Sequence, residues 1–228
     1  MKANELLELL AKQIETLQNH RNSPLRVAVN GIEGSGKTTF SVQLVDYLNS
    51  HGYKAVHVTI DGYHNPKTKR YEQGRDSAQG YYEDAYNEAA FVENVLVRSQ
   101  QSKASYIPTI HDLETDQSVD EVTIPIQSNT ILVVDGAYVF KPIYLPHWDY
   151  KIYLSVPYTI ARTRGIMRDA AMLGGEAVAE DKYLKRYHAA AEIYESAVQP
   201  KLHADIIIDN SDFLQPRIFE DKSSHPVH

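Results

Sequence analysis

The sequence predicts an α/β fold in three layers, with a mostly parallel central sheet, helices on both faces and a small lid. Three observations predict it. Short apolar runs alternate with longer stretches of helical spacing, the pattern of strands joined by helical crossovers and buried on both faces. The first such unit, residues 25–48, is a strand, a glycine-rich loop and a helix. Three runs end in residues fit for phosphate or metal chemistry: the loop after Asn30, Asp61 after Ile60, and Asp135 after Val134. Sheets of this class bind ligands at the carboxyl ends of their strands, so three separate stretches of chain point to one site.

Residues 1–22 read as an amphipathic helix. Leu6, Leu7, Leu10, Ile14 and Leu17 share a face, while Glu5, Glu8 and Glu15 interrupt any signal-peptide core. Packing on the domain is its expected role; a contact in a homo-oligomer is the alternative. Residues 25–30 are a buried strand, and Phe40, Leu44, Val45 and Leu48 mark one side of the following helix. Residues 54–60 form a second strand, broken by Asp61-Gly62. A polar, tyrosine-rich loop is expected to about Tyr82. A helix follows over 84–98, with Ala89, Val92, Leu96 and Val97 inside. Residues 106–110 and 121–126 carry prolines, which suit edge strands or a hairpin. Residues 130–134 make the most apolar and therefore central strand, and 150–156 another. Helices over 159–173 and 179–198, separated by Gly174-Gly175, form the lid and its flanks. A short strand over 204–208 precedes a polar tail from Ser211 to the end, with no periodicity of its own.

Bulk properties narrow the function. With 228 residues the chain is expected to form a single domain with a sizeable core. A net charge of −7 argues against a nucleic-acid partner, whose binding rests on phosphate neutralisation. The absence of cysteine excludes disulfides, thiolate metal sites and thiol catalysis. It fits a reducing cytoplasm. No apolar run approaches the length of a membrane span.

Gly31-Ile32-Glu33-Gly34-Ser35-Gly36-Lys37-Thr38 has the spacing of a phosphate-cradling loop. The candidate nucleotide-binding set is Gly31, Glu33, Gly34, Ser35, Gly36, Lys37, Thr38 and Thr39. The glycines let backbone N–H groups turn onto phosphates, Lys37 reaches the outer phosphates, and the Thr38 hydroxyl can ligate Mg²⁺. Asp135, after an apolar strand, is a second metal candidate. Asp61 can act as general base on an acceptor hydroxyl or as a third metal ligand. Arg164 and Arg168, four apart on one helix face, can stabilise transferring charge. Tyr63, His64, Tyr82, Tyr86 and His111 lie near the suspected ligand loops and are candidate substrate contacts.

In order, G-I-E-G-S-G-K-T-T (31–39), D-G-Y-H (61–64), Y-E-D-A-Y-N (82–87), P-T-I-H-D (108–112), V-V-D-G-A (133–137), R-G-I-M-R-D (164–169) and P-K-L-H-A-D-I-I-I-D (200–209) resemble the uridine kinase, phosphoribulokinase and pantothenate kinase group of P-loop kinases. The likeness spans roughly 25–210. It implies a P-loop NTPase fold, ATP and Mg²⁺ as cofactors, and transfer of the γ-phosphate to a hydroxyl of a small molecule. By this resemblance Asp61 is the base, Asp135 assists Mg²⁺, the P-T-I-H-D stretch shapes a nucleoside pocket, and Arg164 and Arg168 contact phosphates. Asp84 falls in the half of a substrate segment that matches. The chain departs from the uridine kinases where they carry a second lid arginine, here Gly165, and an Arg-Gly-Arg element, here Leu173-Gly174-Gly175. The D-G-Y-H stretch is closer to the sugar- and pantothenate-kinase branch. A nucleoside is the expected acceptor, with a sugar or pantothenate-like compound as the alternative. A nucleotide sensor without transfer is the rival class. No N-K-x-D guanine-reading motif is present.

Overall fold

The computed structural model describes residues 1–222. In chain order its strands are β1 (Leu25–Asn30), β2 (Lys54–Thr59), the two-residue β3 (Ser105–Tyr106), β4 (His111–Asp112), β5 (Gln117–Ser118) and β6 (Ile124–Pro125), then β7 (Thr130–Asp135), β8 (Tyr150–Ser155), β9 (Ile206–Asp209) and β10 (Arg217–Asp221). The main sheet runs β10-β9-β8-β1-β7-β2. Every pair in it is parallel except β9 with β10. β1 and β7 are buried along their whole length, as central parallel strands covered on both faces must be.

Alternation along β1 divides the core. Val27 and Val29 face a layer built from helix α1 (Ala3–Asn19) and helix α2 (Lys37–Ser50), with Leu6, Leu10, Ile14, Phe40 and Leu44 in one cluster. Ala28 faces the opposite layer, where Phe91, Leu96, Tyr138 and Tyr194 pack. The amino-terminal helix therefore lies on the sheet as a packed layer. Leu7 is buried with it and Leu17 partly so.

The loop expected to run to about Tyr82 contains two short helices, α3 (Lys67–Arg70) and α4 (Ala78–Asp84). Ser77 caps α4 by accepting from the Gly80 N–H at 2.9 Å, and Tyr81 is buried. The helix expected from 84 instead starts at α5 (Glu88–Phe91), with Asn87 accepting from the Ala90 N–H. It passes into a wider π turn over Val92–Val97. The extra residue in that turn rotates the buried face. Phe91, Val95 and Leu96 are inside, Ala89 is exposed, and Val92 and Val97 are only half-buried. The proline-bearing segments form small antiparallel ladders, β3 with β6 and β4 with β5, outside the main sheet. The polar tail is not wholly irregular: β10 adds an antiparallel edge, with Ile218 packed on the core.

The lid begins with α6 (Tyr158–Leu173), which ends at Gly174. That residue has φ 97° and donates to the Ala170 carbonyl at 3.1 Å, a left-handed helix end that glycine adopts without strain. The return arm is α7 (Glu176–Lys182), a π turn over Tyr183–His188, and α8 (Ala189–Val198).

Leu10, with no exposed surface in the α1–α2 layer, tests this packing. Leu10→Ala should cost about 2–5 kcal/mol, seen as a lower urea midpoint at unchanged slope.

Candidate active site

Register brings the site together. In the parallel ladder Asp135 pairs with Val29 of β1 and with Thr59 of β2. The loop after Asn30 and the turn carrying Asp61 therefore emerge level with Asp135. The Thr38 hydroxyl, at the start of α2, donates to Asp135 Oδ2 at 2.7 Å. One polar cleft is lined by Glu33, Gly34, Lys37, Thr38, Asp61 and Asp135, with Gly36, Thr39 and Arg168 also on its wall. Hard oxygen donors of this kind suit Mg²⁺, which keeps several waters and binds few protein groups. Among the described residues no larger cluster of acids or histidines competes for a metal.

The glycine loop has the shape of an anion cradle. Gly34 and Gly36 have φ 82° and 90°. A Cβ on Gly34 would lie 2.0 Å from the Ala161 carbonyl oxygen, so only glycine fits against α6. Asn210 pins the loop by donating to the Ser35 carbonyl at 2.9 Å. Lys37 is 7 % exposed, donates to the Ile32 carbonyl at 3.1 Å and lies 3.8 Å from Glu33. Glu33 in turn accepts from the Tyr81 hydroxyl at 3.0 Å. Gly31 donates to the Asn30 side chain in the turn that opens the loop.

Two cavities flank this cleft. A mostly apolar one of about 290 Å³ adjoins Gly34, Gly36 and Thr39 and is walled by Leu6, Phe40, Phe213 and Pro216. A larger one of about 620 Å³ shares Glu33, Asp61 and Arg168 with the cleft and extends to His64, Arg70, Tyr81, Lys182 and Arg186. The wall of the first includes α1 and the tail, neither of which carried a site signal in the sequence.

Asp61 opens into the cleft with its side chain 58 % exposed. The surrounding protein nevertheless desolvates the carboxyl and, with Glu33 and Asp135, pushes it up to about 6, against the pull of Lys37. Tyr86 donates to Asp61 Oδ1 at 3.3 Å. His64 stacks on Tyr86 with centroids 4.5 Å apart, and its Nε2 lies 3.7 Å from the same oxygen. Burial pulls His64 down to about 4, so the ring is neutral at neutral pH. Its Nδ1 meets the Ala85 carbonyl at 3.0 Å, which assigns the proton to Nδ1 and leaves the Nε2 lone pair towards Asp61.

Other sequence candidates lie elsewhere. Tyr63 has no exposed surface, packs edge-on against Phe91 and donates to the Ile107 carbonyl. Tyr82 packs against Tyr138 under Lys141. Asp84 accepts from Gln73. None of the three lines the cavity. His111 is buried and bonded to Asp116, which also holds Arg70, so it stands one residue behind the cavity wall. Arg164 donates to the Asn210 and Ser211 carbonyls at 3.0 and 2.7 Å and lines the apolar cavity, not the cleft of Asp61. Arg168 borders all three spaces. It is paired with Asp169 at 2.7 Å and reaches the Tyr183 hydroxyl at 3.3 Å.

Tyr183 also explains Gly165. A Cβ there would lie 2.1 Å from the Tyr183 ring, so the return arm of the lid occupies the space that a side chain on α6 would need. Sequence reasoning missed this packing, and it missed His57, whose Nε2 meets Asp135 Oδ1 at 2.5 Å. The only signal for His57 was a polar residue set between Val56 and Val58 in the middle of β2.

The fold and cleft define a P-loop phosphotransferase. The family model described as phosphoribulokinase / uridine kinase matches residues 27–213, and the chain belongs to that family. A uridine kinase of Limosilactobacillus reuteri is 27% identical over 194 residues, 84% of each chain. A solved structure titled a possible uridine kinase from Bacillus stearothermophilus superposes with TM-score 0.64 at 20% identity, over 87% of this chain and 98% of that one. A putative fructose transport system kinase from Silicibacter sp. TM1040 gives TM-score 0.69 at 20% identity, over 87% and 96%. At that identity the likeness is one of fold. No helix of the described residues is long and apolar enough to cross a membrane.

The raised Asp61 carboxyl has a stability consequence. The folded state holds this proton more tightly than the unfolded chain, whose value is near 3.8. Stability is therefore lost as pH rises from about 3.8 to about 6 and stays lost above it. In metal-free protein, Asp61→Asn should melt higher than wild type above pH 6, and the gain should vanish below pH 3.8. Scanning calorimetry across that range checks it.

Proposed function

We propose that this chain is a Mg²⁺- and ATP-dependent kinase that moves the γ-phosphate to a hydroxyl of a small molecule. The observation that carries the reading is the convergence of Lys37, the Thr38–Asp135 pair and Asp61 in one cleft between two cavities. The apolar cavity next to the glycine loop suits a nucleotide base, and the larger one suits the acceptor. The loop N–H groups and Lys37 hold the phosphates, aided by the positive end of α2. Thr38 and Asp135 would hold Mg²⁺, which neutralises phosphate charge when bound, and His57 fixes the orientation of Asp135.

Asp61 takes the acceptor's proton. The acceptor oxygen then bonds the γ-phosphorus, and the bond from that phosphorus to the bridging oxygen of the departing ADP breaks. A carboxylate near 6 is ionised at neutral pH yet more basic than an ordinary one. Tyr86 holds it in place through its hydroxyl, and the neutral His64 ring packs behind Tyr86. Arg168, which borders the cleft while paired with Asp169, is the lid arginine placed to meet the transferring group. A nucleoside is the acceptor suggested by the relatives' names, and a sugar- or pantothenate-like compound is the one suggested by D-G-Y-H.

Asp61→Asn should keep ATP affinity and lower phosphoryl transfer by about 10²–10⁴-fold, read by mass from a panel of nucleosides, sugars and hydroxy acids. Unchanged transfer removes Asp61 from the mechanism. ATP binding with no phosphorylated acceptor in wild type favours a nucleotide sensor. His57→Ala should raise the Mg²⁺ concentration needed for half-maximal turnover by about 10–100-fold, whereas His57→Gln should retain part of the effect.

A further inference from the structure

Apart from the exposed Lys67, the wall of the acceptor cavity holds two cations, one buried and one half-buried, that no carboxylate neutralises at ion-pair distance among the described residues. Arg186 is 2 % exposed. Its guanidinium lies between the rings of Tyr71 and Tyr81, 5.0 Å from each centroid. It donates to the carbonyls of Arg70, Gly74, Arg75 and Ser77. Those neutral partners fix its direction and leave its charge in place. Lys182, one turn earlier on the same lid arm, lines the same cavity, with its ammonium 5.3 Å from the Tyr187 centroid. Burial, helped by the charges of Arg186 and Arg70, holds its pKa below the ordinary lysine value.

Elsewhere several enclosed cations are paired. Arg26 meets Asp149 at 3.1 Å, Lys141 meets Glu88 at 2.6 Å and Lys151 meets Asp205 at 2.9 Å. Arg164, which like Arg186 is held by backbone carbonyls, borders the glycine loop, a place built for phosphate. In the acceptor cavity Glu33 is engaged with Lys37 and Tyr81, and Asp169 with Arg168 and Tyr183. Asp61 marks the reacting end, and Glu114 is exposed. A charge taken out of water without a counter-ion is costly in the free protein. A cavity lined by such charges favours an anion that supplies the missing partner.

We propose that the acceptor carries an anionic group, a carboxylate or a phosphate, received by Lys182 with Arg186 behind it. The acceptor is then a hydroxy acid or a sugar phosphate, not a neutral nucleoside. This rests on the kinase reading, with Asp61 at the end of the acceptor that holds the reacting hydroxyl.

The test uses the full chain saturated with Mg²⁺ and a non-hydrolysable ATP analogue, so that the nucleotide site is filled. Calorimetric titrations compare neutral and anionic partners: glycerol with glycerate for the carboxylate source, ribose with ribose 5-phosphate for the phosphate source, and uridine alone. At least one anionic member should bind about tenfold or more tightly than its neutral partner, the scale of one desolvated charge contact. Lys182→Gln should remove most of that preference and Lys182→Arg should restore it, with circular dichroism as the folding control. Uridine binding as well as the anions, no anion binding, or a preference that survives Lys182→Gln each overturns the proposal. Failure of the ATP analogue itself to bind would instead overturn the kinase reading, so the two can be told apart.

Discussion

Everything in the candidate site depends on the parallel register of three strands. β7 lies between β1 and β2 and sets Asp135 level with Val29 and Thr59. Because parallel strands all point the same way, their carboxyl ends share one edge of the sheet. A shift of one residue in β7 would turn Asp135 to the opposite face and separate it from the Thr38 hydroxyl. The two hydrophobic layers enforce this register, since Val133 belongs to the α1–α2 side and Leu132 and Val134 to the other. Core packing and the geometry of the candidate site are thus one constraint in this chain.

The lid is organised differently. Its two arms meet where Tyr183 covers Gly165, and the Tyr183 hydroxyl donates to Asp169 at 2.9 Å. Arg168 joins the same carboxylate. The return arm is thus tied to α6 by a small polar cluster beside the cleft. The same return arm presents Lys182 and Arg186 to the larger cavity. Lid position, arginine availability and the charge of the cavity wall are therefore linked through one helix with a π turn.

The fold was legible because its signals are local. Apolar runs gave the central strands, glycine spacing gave a loop with left-handed glycines, and a carboxylate after a strand gave the placement of Asp61 and Asp135 in one cleft. What was not legible depends on distant packing. The π turn at Val92–Val97 rotated the buried face away from that of a regular helix, which no 3.6-residue pattern can foresee. β10 has little apolar content, and its pairing with β9 decides its structure. Tyr63 and Tyr82 sit in motif-rich stretches, yet their rings serve the aromatic core. Arg164 shares a helix face with Arg168, but the carbonyls of Asn210 and Ser211 draw it to the apolar cavity. His57 became visible only when the sheet set it beside Asp135.

The central claim is that one cleft holds the phosphates, the metal and the base together. A crystal structure with Mg²⁺ and a non-hydrolysable ATP analogue tests it most directly. The account predicts phosphates on the backbone of Gly34–Thr38, Mg²⁺ touching the Thr38 hydroxyl with Asp135 beside it, the base among Leu6, Phe40 and Phe213, and the terminal phosphate facing Asp61. A nucleotide bound away from the glycine loop, or one whose terminal phosphate points away from Asp61, would contradict it.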